Sequence, residues 1–154
     1  AAPELLAAVE ERREAPPEGR KTAPLWMGAA VLLGRLRDPE AVPVLGRVLS
    51  DPDASLDALI AAARSLGRIG DPAGIPHVAA LLARDDVPTE RQLQVSGAGI
   101  NPVVEDARWQ LELAAAEALA AMGAPRPELA RRHMGDDRAL VRRQARRVLT
   151  RAQG

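Results

Sequence analysis

A stretch of sequence that returns 33 residues later limits what this chain can fold into more than any other feature. Leu33-Gly-Arg-Leu-Arg-Asp-Pro-Glu-Ala-Val-Pro43 recurs as Leu66-Gly-Arg-Ile-Gly-Asp-Pro-Ala-Gly-Ile-Pro76. Each copy follows an apolar stretch with helical spacing (25–36 and 58–69) and precedes another (44–49 and 78–83), so one repeat is a helical hairpin. Asp38 and Asp71 suit a helix cap, and Pro39 and Pro72 suit a first helical position, where no N–H is needed. Pro43 and Pro76 also lack a donor and belong within the first turn, which leaves the start of the second helix anywhere from 39 to 43. A third copy, Leu111 to Pro125, aligns 53 residues after Ala58 to Pro72, so 53 − 33 = 20 residues are inserted. A fourth first helix starts near Asp137 and places Val141 to Leu149 in register 30 residues on. At the other end Pro3 to Arg13 reads as a second helix without its first, so the sequence is expected to begin and end in mid-repeat.

With 154 residues, one core or one short repeat array is expected. The chain is 47% apolar but only 1% aromatic, and its Ala-rich runs favour closely packed helices and disfavour an all-β fold. The absence of Cys removes disulfides, thiolate metal sites and a Cys nucleophile. It leaves localisation open, with the cytoplasm as the default expectation. No apolar run of membrane-spanning length and no basic-then-apolar leader pattern is present, so a soluble chain with no membrane partner is expected.

Gly67-Arg-Ile-Gly-Asp-Pro72 with Ile75-Pro76, and Asp136-Asp-Arg-Ala-Leu-Val-Arg142, resemble the short bacterial HEAT-like repeats of the phycobilisome-lyase type. The resemblance covers roughly 24–85 and 107–150; the Val-Arg pair usual in such repeats survives only as Val141-Arg142. It implies an all-α fold, a right-handed α-solenoid of about three to four HEAT-like hairpins with one inserted loop. The expected division is a half-repeat 1–15, repeats 24–50 and 56–85, an inserted loop 86–106, a repeat 107–134 and a terminal half-repeat 137–152. Ankyrin and tetratricopeptide arrays have similar periods, but their signatures are missing.

In such arrays the first helices form the convex layer and the second helices line a concave, partner-binding surface. That places Val42, Leu45, Leu49, Ile75, Val78 and Leu82 in the core stripe. The exposed stripe then carries Glu4, Ala8 and Glu11; Glu40, Val44 and Arg47; Ala73, His77, Ala80 and Arg84; and Arg126, Ala130 and His133. Charge is polarised beneath a net of zero, because residues 126–154 hold nine Arg against Glu128, Asp136 and Asp137. Arg131, Arg132, Arg142, Arg143, Arg146 and Arg147 form an Arg-rich end that an acidic partner could use. Nucleic acid is disfavoured because stacking aromatics are nearly absent. The insert has breakers at Pro88, Gly97, Gly99 and Pro102 and reads as a loop, with Gln92-Leu-Gln-Val alternating as a short strand does. Long excursions from compact arrays often bind, which makes Glu90, Arg91, Asn101, Glu105 and the neighbouring Trp109 binding candidates. Trp109 also suits an anchor for the loop.

Catalytic chemistry is hard to assemble from these residues. There is no Gly-x-Ser-x-Gly elbow and no triad, and His77 and His133 have no visible third ligand, so neither catalytic residues nor a metal or cofactor are expected. Asp85-Asp86, Glu105-Asp106 and Asp136-Asp137 read as helix-start caps, and Ser96-Gly-Ala-Gly-Ile lacks the helix that a phosphate loop needs. Trp26, Met27, Met122 and Met134 read as packing groups, and Gly28 and Gly34 as sites of close helix contact. The expected function is a non-catalytic scaffold for protein-protein interaction, alone or as an accessory domain of a larger bacterial protein. Its partner would be another protein or the remainder of its own parent chain, through Arg47, His77, Arg84, Glu90, Arg91, Asn101, Trp109, Arg126 and His133. The resemblance also implies the alternatives, a chromophore lyase-like or nucleic-acid-processing repeat enzyme.

Overall fold

In a computed structural model of the protein, the structure describes residues 2–13, 25–93 and 103–153. The repeats resolve into α1 (Pro3–Glu10), α2 (Leu25–Leu36), α3 (Ala41–Ser50), α4 (Leu56–Ile69), α5 (Ile75–Ala83), α6 (Arg108–Ala121), α7 (Glu128–Arg131) and α8 (Ala139–Gln153). First helices α2, α4, α6 and α8 stack side by side in one layer. Helices α1, α3 and α5 form the second, and α7 packs against α6 and α8. This is an all-α solenoid.

Local chemistry sets the element ends. Ser55 accepts from the Ala58 N–H at 3.2 Å and starts α4, and Gly70, at a φ of 72°, ends it. Asp38 and Asp71 accept from the amides of Glu40 and Ala73 at 3.0 and 2.9 Å. Both aspartates thus cap their turns, and the second helices begin at Ala41 and Ile75, just inside the prolines. Leu33, Leu66 and Leu119, one register position in three repeats, are buried in the core. On α5 the deepest side chains are Val78 and Leu81, while the expected core residues Ile75 and Leu82 are only half-buried.

The first layer is held by seams of small residues. A Cβ on Gly34 would stand 2.8 Å from Ser65 Cα, and one on Gly67 would stand 2.8 Å from Ala118 Cα. Ser65 Oγ donates to the Ala30 carbonyl at 2.9 Å across the first of these seams. Gly28 has no such role, contrary to the sequence expectation: among the described residues nothing lies within 4 Å of a Cβ placed there.

The insert is more ordered than a loop. Strands β1 (Glu90–Leu93) and β2 (Val103–Asp106) pair antiparallel, with Glu90 opposite Asp106 and Leu93 opposite Val103. The Ala107 N–H closes the stem onto the Thr89 carbonyl at 2.8 Å. The breakers Gly97, Gly99 and Pro102 and the candidate Asn101 lie outside the described residues.

Candidate functional site

The small-residue seams decide where a groove can form. They bring consecutive first helices to backbone contact, whereas between α3 and α5 the His77 ring is interposed over Gly46. An array spaced more tightly in one layer curves toward that layer. A cavity of about 590 Å³ accordingly lies on the first helices, lined by residues from α2, α4, α6 and α8 together with Arg91 of β1. A second, of about 480 Å³, adjoins it and shares Arg64, Arg68, Glu117 and Arg147. The cavities therefore lie on the first helices and not on the second, where the groove was expected; of the expected exposed stripe, Ala8, Val44 and Ala130 are buried, whereas Glu4, Glu11, Glu40, Arg47, Ala73, Ala80 and Arg126 are exposed. The three buried residues belong to the hydrophobic core.

The floor is apolar, built from Met27, Ile60, Trp109, Leu113 and Val148. Around it stand five guanidiniums and two carboxylates. Arg91 pairs with Asp57, and Arg151 pairs with Glu117. Arg64, Arg68 and Arg147 have no acidic partner among the described residues, and all three border both cavities. Two register positions supply most of this charge: Val31, Arg64, Glu117 and Arg147 are equivalent under the repeat offsets, as are Arg35, Arg68, Ala121 and Arg151. The signal was present in the sequence, on the helices that the convex-layer expectation set aside.

The insert is built into the wall of this groove. Arg91 ties β1 to α4, and Arg138 ties β2 to the start of α8 by donating to the Asp106 carbonyl at 2.8 Å and to Glu105 at 3.3 Å. Arg138 also pairs with Asp136 at 3.0 Å, and that hydrogen bond is the main reason the Asp136 carboxyl is pulled down to about 2. The same guanidinium lies 5.8 Å from the ring centroid of Trp109, within cation–π range. Trp109 is 6% exposed, and its Nε1 has no hydrogen-bond partner among the described residues.

The family profile for HEAT repeats matches residues 3–96. The chain belongs to the HEAT-repeat family. A solved structure titled as the complex of CpcE and CpcF of phycocyanin lyase from Nostoc sp. PCC7120 is similar at 30% identity with a TM-score of 0.62. The match covers 98% of this chain and 52% of that one, so the protein spans about half the length of the chain it resembles. No curated protein matches.

The HEAT-repeat array disperses the residues singled out from sequence. Arg47 is exposed on α3 and pairs with Glu10 of α1. His77 lies against α3 as described. Arg84 is 17% exposed and already engaged: it donates to the Leu49 carbonyl at 2.6 Å and to Asp86 at 2.8 and 3.1 Å. The Asp86 hydrogen bond raises the Arg84 pKa further and lowers that of Asp86. Reversing its charge would therefore disturb the array itself. Glu90 is exposed on β1, whereas Arg91 and Trp109 meet at the groove. Arg126 is exposed and bonds Glu128 at 2.8 Å. His133, expected on an open concave face, instead turns inward and places Nε2 3.0 Å from Glu112.

Glu112 is a charged group that sequence reasoning missed. Its side chain is 8% exposed and lies 2.9 Å from Arg108 and 3.6 Å from Arg132 as well as beside His133. A carboxylate so surrounded joins α6 to the end of α7, since burying it unpaired would be costly. Two of the three acid pairs behave as helix-start groups, Asp106 and Asp136 accepting from the amides of Arg108 and Arg138 at 3.1 and 2.9 Å; Asp85-Asp86 does not, because it follows α5 and leads into β1, and Asp86 instead pairs with Arg84. Among the described residues no three His, Cys, Asp or Glu side chains converge as metal ligands, and no helix is long and apolar enough to cross a membrane. The groove offers positive charge over an apolar surface, a setting for binding.

Proposed function

We propose that the protein is a non-catalytic interaction scaffold whose partner lies in the first-helix groove between α2 and α8, with the β1–β2 hairpin as one wall. The observation that carries this reading is the convergence of Arg64, Arg68 and Arg147 over an apolar floor that spans four helices. Such a surface suits an acidic partner segment with an apolar face: buried apolar area supplies affinity and complementary charge supplies orientation and rate. Of the residues singled out from sequence, Arg91 and Trp109 belong to this site. The test compares affinity capture by the intact chain with capture by Arg64→Glu/Arg147→Glu, both residues being cations without acidic partners among the described residues. Loss of one protein from the variant's eluate supports the reading, and equal recovery removes the groove from it.

A second reading is lyase-like, and it rests on the likeness to the phycocyanin lyase complex over almost the whole of this chain. The same cations would then hold the carboxylates of an elongated chromophore. A tetrapyrrole added to the purified chain would shift its absorption band if this reading holds, and the shift would vanish in the same variant.

A further inference from the structure

The two cavities follow one another along α4, α6 and α8 in the same order. On α6 the first takes Trp109 and Leu113 and the second Ala118 and Ala121; on α8 the first takes Leu140 and Gln144 and the second Arg151. The three helices therefore run in one direction, and the trough changes character along them. Beside the hairpin it is apolar, and toward the C-terminal ends of α4 and α8 it is basic. Arg68 and Arg151 fall in the last turns of their helices, where cations complement the helix dipole. Arg64 and Arg147 lie more than a turn inside, so the dipole does not account for them.

At its basic end the trough has three sides. Arg64 and Arg68 stand one turn apart on α4, about 6 Å along its axis, and Arg147 borders the same cavity from α8. Between these walls lies the Ala114/Ala118/Ala121 face of α6. Glu117 shares that face but is paired with Arg151. Two cations on one wall and one on the other are thus left without acidic partners among the described residues. An occupant that meets both walls and the floor at one level needs three side-chain faces. An extended strand has two, because its side chains alternate, whereas a helix distributes them all round. Carboxylates are most favourable in a helix's first turns, where they complement its own dipole. A helix with its N-terminus at the basic end runs opposite to α4, α6 and α8, and its apolar remainder reaches the floor at Trp109 and Leu113.

We propose, on the reading of this groove as a site for an acidic partner, that its occupant is an α-helix of that partner lying antiparallel to α6. Its N-terminal turns carry two carboxylates four residues apart toward α4 and one toward α8, and its C-terminal half is apolar. Secondary structure, direction and acid spacing are thereby fixed by this chain's own side chains.

The probe is a synthetic peptide of 14 residues, the length of α6, stapled into a helix, with that acid pattern in its first two turns and leucines on the floor-facing side after them. Two peptides accompany it: the reversed sequence, likewise stapled, and an unstapled form with proline at two central positions. Binding to the full chain is read by fluorescence anisotropy. The forward helix is expected to bind about tenfold or more tighter than either companion. Arg64→Glu/Arg147→Glu removes that advantage. Arg143→Glu/Arg146→Glu makes the same change in charge at exposed α8 positions outside both cavities, and it leaves affinity within about twofold. Helical circular dichroism stays unchanged in both variants. Equal affinity for the forward and reversed helices, or for the proline peptide, overturns the inference, as does failure of the forward helix to bind or an equal loss in both variants. The wider reading falls separately, when capture of the protein partner survives Arg64→Glu/Arg147→Glu whatever the peptides do.

Discussion

At the scale of single residues, the first layer is set by how closely backbones can approach. Gly34 and Gly28 are both helical glycines of α2, yet their surroundings are opposite. Gly34→Ala forces a Cβ to 2.8 Å from Ser65 Cα and is expected to cost about 1–3 kcal/mol through overpacking. Gly28→Ala meets open space and should stabilise by about 0.5–1 kcal/mol through lost unfolded-state freedom and better helix propensity. Urea unfolding of the pair checks both signs, and equal effects would mean that the seam is not as tight as described. Titration offers a second residue-scale check. Asp136 is held at about 2, against an ordinary value of 3.8, by Arg138. A carboxyl with a depressed native pKa stabilises above its unfolded value and loses that contribution as pH falls through the native one. The stability gap between wild type and Arg138→Met should therefore be constant above about pH 5 and shrink between about pH 4 and 2. A gap that does not change across this window would separate Asp136 from Arg138.

At the scale of elements, the insert is the piece whose nature the sequence left most open. Pro88 and Gln92 to Val95 carried breaker and strand signals side by side, and a four-residue alternation is too short to decide between them; the observed strand starts two residues earlier, at Glu90. Pairing decides: β1 exists because β2 lies opposite it, and both are tied to helices through Arg91 and Arg138. Replacing residues 88–104 by a short Gly/Ser linker removes the ladder and the Arg91–Asp57 pair. Exposed ion pairs contribute about 0–1 kcal/mol, so helicity should persist and the melting temperature should fall by about a few degrees. Binding in the groove should weaken because one wall is gone. Undiminished affinity for the captured partner would make the hairpin a passive excursion. Helix boundaries were more legible than the insert, since Ser55, Asp71 and Gly70 each act within a few residues of their place in the chain.

At the scale of the whole molecule, the neutral net charge conceals a basic groove and a basic end. If the groove binds an acidic partner, affinity should fall by about tenfold or more when ionic strength rises from about 0.1 M to 1 M, where the Debye length shrinks from about 10 to 3 Å. Titration calorimetry across that range checks it. Salt-independent binding would point to the apolar floor alone.

The helical hairpins, the Asp38 and Asp71 caps and the family resemblance were readable from residues that act on near neighbours. The 33-residue period, with the 20-residue insertion added before the third copy, places Leu33, Leu66 and Leu119 in equivalent sites without any coordinates. Which layer carries the cavities was not readable, because it depends on how neighbouring helices approach: to backbone contact at Gly34 and Gly67, and with the His77 ring between α3 and α5. The same holds for Glu112, whose neighbours Arg108, Arg132 and His133 include two from beyond its own helix, and for Leu32 and Leu36, which look like ordinary core leucines in sequence. Sequence periodicity determined the repeating unit because its interactions are local. Only the stacking of units decided the groove, because it depends on which faces other helices leave uncovered.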